Sequence, residues 1–291
     1  MSASIDTSRI TTASAPPLGG RIAGRLRWLL WPPVLILAFL IICAIFAPQL
    51  APYDPVTPVP SDKLLPPSRE HWFGTDPYGM DVFSRVLYAA RVDLSVGISS
   101  VLLGVLVGLP LGAVSGYVRG SLDAVMMRLV EVMQAFPQIL FAMAVIAAVG
   151  NNLVNLVLIL AFLNVPVYLK MVRSVTLPLQ DSDFVLAARC AGHSTPSLVL
   201  RHIIPNTLVP VFSQFSLSCA YAVQMVAGLN FIGLGVRVPQ PEWGSMISGG
   251  ANFIIFGKWW PAVFPGLAVF LTAYSLNALG HRLRRAILRE T

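Results

Sequence analysis

The sequence predicts an all-α polytopic membrane protein with six transmembrane helices. Three observations carry that expectation. Of 291 residues, 56% are hydrophobic and 11% charged, where a soluble domain holds about 25% charged residues; mean hydropathy is +0.73. The apolar residues fall into six runs, each close to the roughly 20 residues that cross a hydrocarbon core as a helix. The Lys and Arg residues gather at the ends of those runs. The net charge of +7 therefore does not indicate a nucleic-acid partner, which calls for a basic patch with interleaved aromatics.

Residues 1–27 are rich in Ser, Thr, Ala, Pro and Gly without periodicity, and read as a disordered tail. Arg21, Arg25 and Arg27 precede the apolar run of residues 28–50. A signal peptide has the same order of charge and apolarity, but the run is long for one and suits a retained first span. Residues 51–91 change texture, with Pro52, Pro55, Pro58, Pro60, Pro66 and Pro67 and returning charge. This segment is expected outside the membrane and ends in an amphipathic helix capped by Asp81, with Val82, Val86, Leu87 and Ala90 on one stripe. Trp72, Phe73 and Tyr78 suit a membrane interface. His71, Asp76 and Asp81 lack the spacing of a metal site, and Asp before Pro or a helix is turn and cap chemistry. No metal site is expected.

The core, residues 92–283, holds the other five spans at about 92–117, 124–149, 153–170, 207–234 and 259–280. Gly104, Gly108, Gly112 and Gly116 put small residues on one face of the second span, which lets another helix approach closely. Residues 119–128 read as a polar connection, with Asp123 capping the third span and Arg128 paired to Glu131 at i,i+3. Gln134, Asn164, Gln214, Gln224 and Asn230 are polar groups within spans, to be turned toward protein or water. They are the candidates for a translocation path, although hydrogen bonding between helices explains each singly. Residues 284–291 form a short basic tail. Cys43, Cys190 and Cys219 lie in separate segments without a CxxC pair, so no disulfide framework or metal centre follows.

Between the fourth and fifth spans, residues 180–206 read as soluble structure. Asp181, Ser182 and Asp183 offer oxygens to cap a helix. Phe184, Ala187, Ala188 and Ala191 share one stripe at helical spacing, and Gly192 ends the helix. Thr195-Pro196 starts a second helix and Ile204-Pro205 is expected to end it. The small-residue face suits a contact with a partner as well as a plain connector.

With six spans both termini share a side. That side holds fourteen of the 20 Lys and Arg residues; only Lys63, Arg69, Arg85, Arg91, Arg237 and Lys258 fall opposite. Positive residues mark the cytoplasmic side, which places both termini and residues 180–206 in the cytoplasm and residues 51–91 outside.

The stretch AARCAGHSTPSLVLRHIIPN, residues 187–206, resembles the cytoplasmic "EAA" motif of binding-protein-dependent ABC importer permeases: Ala187, Ala188, Gly192, Ile204, Pro205 and Asn206 match. WFGTDPYGMDVFSRVLYAARVDLSVG (72–97), MMRLVEVMQAFP (126–137), FIGLGVRVPQPEWGSMI (231–247) and FPGLAVFLTAYSLNALGHRLR (264–284) are similar to the C-type permease subunit of dipeptide and oligopeptide importers. The resemblance covers about residues 28–285. Leu186 stands where the motif has Glu, so a carboxylate contact there is not expected.

The resemblance implies a type I ABC importer permease fold in a bacterial inner membrane. It implies a coupling helix, with Asp183, Phe184, Ala187, Ala188, Arg189, Ala191, Gly192 and His193 facing an ATPase subunit. It further implies a heterodimer with a second permease, two ABC ATPase subunits that bind the ATP and Mg²⁺, and an extracytoplasmic substrate-binding protein that carries much of the specificity. The chain itself needs no cofactor. Its cargo would be di- or oligopeptides, with nickel, glutathione or another small ligand as the alternative.

The residues exclude several other classes. No GxxxxGK[ST] exists, and Gly257-Lys258 lacks both the preceding glycine and the following Ser or Thr, so no ATPase activity is expected of this chain. No HExxH or intramembrane Ser, His and Asp set suggests a membrane enzyme. No acidic residue lies centrally in a span, as an ion-coupled transporter would require.

Overall fold

The computed structural model describes residues 31–236 and 238–290, with side chains except at 287–290. The expectations for residues 1–27, for the start of the first span and for Arg237 therefore lie outside the described residues. Among the described residues the regular structure is helical, apart from one isolated bridge between Thr75 and Asp81.

Helix α1 (Pro32–Ile45) is apolar and continues into a single turn, Ala47–Leu50. After the proline-rich segment comes α2 (Val82–Val118), with 37 residues. It merges what the sequence suggested were two elements, an amphipathic helix and a span. No Gly or Pro separates them, and Arg91 stays exposed while Asp93 turns into the protein. At 1.5 Å per residue α2 is about 55 Å long, well beyond the roughly 30 Å of a hydrocarbon core. Asp81 caps it as expected: Oδ2 accepts from Ser84 N at 2.8 Å and Ser84 Oγ at 2.7 Å, and Oδ1 contacts His71 Nδ1 at 2.9 Å.

The expected polar connection shrinks to Arg119, whose positive φ of 58° reverses the chain. Helices α3 (Gly120–Ala135) and α4 (Gln138–Val149) follow, bent by 84°. The sequence suggested one third span. Pro137 has no N–H to continue the ladder, and it holds Phe136 extended at φ −91°, ψ 137°. Asp123 is not the cap. It lies in the first turn of α3 and takes Arg173 Nε and Nη2 at 2.5 and 2.6 Å, together with Ser115 Oγ at 2.5 Å.

Helix α5 (Leu153–Leu179) runs nine residues past the expected end, and α6 (Asp183–Cys190) follows a short turn. Helix α7 (Thr195–Leu198) passes through a π-helical turn, Val199–Ile203, into α8 (Ile204–Phe231). Pro205 thus does not end a helix. The wider turn lets Ile204 N bond Val199 O, five residues back, and accommodates a residue that cannot donate and whose ring would strike the carbonyl four residues earlier. Helix α9 (Trp243–Ala251) precedes α10 (Trp260–Glu290). Residues 284–290 therefore extend the last helix instead of forming a separate tail.

Among the described residues, four helices are long and apolar enough to cross a membrane, and the bent α3–α4 pair makes up to five. The 14-residue α1 is a shorter apolar helix. Six is thus an approximate count.

Helices α2 and α5 pack closely, as the four-residue glycine spacing suggested. A Cβ on Gly104 would lie 2.5 Å from Asn164 Cβ, and one on Gly112 would lie 2.6 Å from Leu169 O. Around this contact Val101, Leu109, Tyr168, Val172, Val185, Ile203 and Val211 form one buried cluster, joining α2, α5, α6 and α8. A second cluster, with Ala44, Val82, Leu94, Val223, Trp243 and Trp260, closes the opposite end.

Candidate functional site

Helix α6 sits between the ends of α5 and α7, and the sequence explains its short length. Gly192 adopts φ +84°. Its N–H bonds Arg189 O at 3.0 Å, while His193 N bonds Ala188 O at 3.2 Å. This is the paired arrangement that satisfies the last carbonyls of a helix when the residue after it is left-handed. At the start, Ser182 occupies the cap position without a capping bond; its Oγ donates to Leu179 O at 2.5 Å. The expected oxygen cap is therefore absent. Asp183 lies in the first turn, where its charge complements the helix dipole.

The stripe inferred from spacing is not one exposed face. Val185 is fully buried and Ala188 is 9% exposed, both turned toward the bundle. Asp183, Phe184, Leu186, Ala187, Arg189, Cys190 and Ala191 are exposed. At 100° per residue the outward arc centres on Asp183, Ala187 and Cys190. Phe184 and Ala191 flank one side and Leu186 the other. Leu186 thus joins the exposed arc, and Ala188 leaves it.

Two of the expected contact residues hold the helix in place. Arg189 Nη2 donates to Tyr117 Oη at 3.1 Å, with its guanidinium 5.7 Å from the ring centroid. His193 Nδ1 contacts Ser197 Oγ at 3.2 Å, and its ring packs 5.4 Å from that of His202. Arg119 reaches Leu177 O at 3.1 Å and Asp181 at 3.3 Å. Helix α6 is thereby tied to the ends of α2 and α5 and to the π turn of α8, while its outer face is bare.

Of the five polar path candidates, the structure brings two together. Asn164 and Gln214 line a cleft of about 130 Å³ between α5 and α8, with Gln138, Ser218 and Tyr221. Tyr221 Oη donates to Gln138 Oε1 at 2.8 Å, and Asn164 Nδ2 bonds Leu160 O at 2.8 Å. Sequence reading missed Gln138, Ser218 and Tyr221, which are ordinary helix residues until the fold apposes them. Gln224 is exposed on α8, one turn beyond Tyr221. Gln134 lies apart, accepting from Lys170 Nζ. Asn230 is a strut: its Oδ1 accepts from Val236 N at 2.5 Å and its Nδ2 donates to Val226 O at 2.9 Å. The cleft is lined by amide, hydroxyl and apolar groups, which can hydrogen-bond a neutral polar solute.

Comparison with known proteins gives consistent results. Residues 108–289 match the family described as "Binding-protein-dependent transport system inner membrane component", and residues 34–67 match "N-terminal TM domain of oligopeptide transport permease C". The dipeptide transport system permease protein DppC of Alkalihalophilus pseudofirmus is 38% identical over 87% of this chain and 83% of that protein. The probable D,D-dipeptide transport system permease protein DdpC of Escherichia coli K12 is 38% identical over 86% of this chain and 83% of its own length. The glutathione transport system permease protein GsiD of Escherichia coli O6 is 39% identical over 87% and 84%. A solved structure of the MetNI methionine ABC transporter, inward facing, superposes with a TM-score of 0.56 at 17% identity, covering 70% of this chain and 96% of that one.

Proposed function

This chain belongs to the binding-protein-dependent transport system inner membrane components and is the permease of an ABC importer; we propose that it carries short peptides and that α6 is where a separate ATPase subunit drives it. One observation carries the coupling reading. Helix α6 presents a bare arc of Asp183, Phe184, Leu186, Ala187 and Ala191 while its inner face and both ends are fastened to α2, α5 and α8. A force on the outer face therefore has a path into the spanning helices. The chain works with other transporter subunits. In this reading those are a second permease, two ATPases that bind ATP and Mg²⁺, and a substrate-binding protein.

The excess of Lys and Arg on the side of α6 supports a cytoplasmic α6 and cytoplasmic termini. The opposite face, built from residues 51–91 and α9, is then turned toward the binding protein. Nucleotide closes the ATPase pair, α6 moves with it, and the helices exchange an inward-open for an outward-open arrangement. ATP and substrate act by favouring different members of that pair of states. Asn164, Gln214 and the neighbouring Gln138, Ser218 and Tyr221 form the polar part of the path.

The named relatives support a peptide cargo, and the glutathione permease keeps that tripeptide-like thiol as the second reading. Uptake into proteoliposomes holding the complete importer decides between them. Accumulation of a labelled dipeptide, outcompeted by dipeptide and not by glutathione, is expected. Accumulation of glutathione alone would overturn the peptide reading.

A further inference from the structure

Two carboxylates meet in the interior where α9 abuts α2. Asp93, on α2, and Glu242, the cap residue of α9, are both fully buried, and Asp93 Oδ2 takes the N–H of Trp243, the residue that follows Glu242. Glu242 is well supplied with donors. Its Oε1 accepts from Gly244 N at 2.8 Å and its Oε2 from Ser245 N at 2.7 Å, at the N-terminus of a helix, where negative charge is favoured. Asp93 is not so placed. Its Oδ2 accepts from Trp243 N at 3.1 Å, and its buried Oδ1 receives no donor.

Among the described residues no cation offsets the pair; Arg237, in the loop before Glu242, is not one of them. On α2 the nearest basic groups are Arg91, which is exposed, and Arg85, about 12 Å away along the helix. Arg85 is engaged by Asp76 and by the carbonyls of Pro55 and Pro239. Beyond Glu242, α9 has no titratable residue. Of the other elements in this buried cluster, α1 adds Cys43, α8 adds Cys219 and Tyr221, and α10 adds Tyr274 before its distant basic end. Lys258, just before α10, bonds Leu64 O at 3.4 Å and lies over the Trp260 ring. On the far side of α2, α4 has no titratable group and α5 none before Tyr168.

Two adjacent buried carboxylates without a cation cannot both ionise. We propose that Asp93 and Glu242 hold one proton between them, carried on Asp93 Oδ1 and donated to Glu242, and that this bond is a pH-sensitive latch fastening α9 to α2. The proton gives the orphaned oxygen a partner and leaves the negative charge on the carboxylate that two N–H groups already hold. The same joint carries Trp243, fully buried, whose Nε1 donates to Val86 O at 3.1 Å. It also carries Gly244, where a Cβ would lie 2.1 Å from Ala227 O.

Burial raises the Glu242 carboxyl above its usual range, against the N–H bonds from Ser245 and Gly244. The window therefore lies above ordinary carboxylate titration. The latch is complete below it. As pH rises through it the shared proton is lost, two charges face each other, and α9 loosens.

The test uses the full chain in lipid nanodiscs. At neutral pH, infrared spectra should contain the carbonyl stretch of a protonated carboxylic acid. ¹³C-labelled aspartate should shift it, Asp93→Asn should remove it, and Asp76→Asn should leave it. Hydrogen exchange of residues 243–251, corrected for intrinsic rates, should lose up to about tenfold protection per pH unit between the ordinary carboxylate range and the raised titration of the pair, and level off above it, as a difference of one bound proton requires. In Asp93→Asn, whose amide donates at any pH, that loss should vanish. The proposal is overturned by a wild-type spectrum without the band, or by a band that shifts with labelled glutamate alone or disappears in Asp76→Asn. It is overturned equally by protection that does not vary with pH. If Asp93→Asn does not fold, the labelled wild type and Asp76→Asn still decide.

Discussion

At the α9 end, Arg85 is 3% exposed at its side chain and joins Asp76 to the carbonyls of Pro55 and Pro239. At the α6 end, Arg119 and Asp181 meet with side chains 49% and 72% exposed. The two ends are fastened with similar residue types and opposite solvent access. Buried polar groups fix one geometry, since each loses water and needs its partner. Exposed pairs are screened and individually weak. One end is fastened by buried polar contacts and the other by exposed ones.

The contrast breaks most visibly at Arg85. Arg85→Ala leaves the buried Asp76 carboxylate without its cation and the carbonyls of Pro55 and Pro239 without their donor, a loss of about 3–5 kcal/mol. Reversible unfolding in detergent should record it, and a change within error would remove the distinction between the ends. Gly112→Leu acts midway, where the side chain would enter the backbone of α5 at Leu169. Overpacking there should cost about 1–3 kcal/mol, seen in the same titration. Arg189→Ala removes one exposed cation–π contact and a hydrogen bond at α6, about 0.5–1 kcal/mol. Its sharper signature should be faster exchange confined to residues 183–191. Ala187→Arg, on bare surface, should change stability by no more than about 0.5 kcal/mol and still lower uptake at least tenfold in the assembled importer. By contrast Ala188→Arg, on the buried side of the same helix, should fail at folding.

What the sequence made legible was local or periodic. Four glycines at four-residue spacing announced a close helix contact on one face of α2 without naming its partner, Asp81 announced a cap, and Gly192 announced a helix end. Prolines were harder. Pro137 bends a span by 84° while Pro205 is absorbed by a π turn, because the outcome depends on whether neighbouring turns can widen. Exposure on α6 was half legible, since spacing groups residues by face without saying which face meets the bundle. The Asp93–Trp243 bond joins residues 150 apart, and no nearby pattern marks either. Asn230 and Gln214 looked alike in sequence; only the loop at Val236 makes the first a strut.

The central claim is that the outer arc of α6 is the surface on which the motor acts. Site-directed crosslinking tests it directly. Ala187→Cys, in a chain whose exposed Cys190 is replaced by Ser, is combined with the partner subunits in membranes and treated with a short thiol-to-amine crosslinker. A crosslink to the ATPase subunit, in a complex that still transports, is the expected result. A complex that transports normally with residue 187 open to a membrane-impermeant thiol reagent throughout the ATP cycle, and never crosslinked to the ATPase, would contradict it.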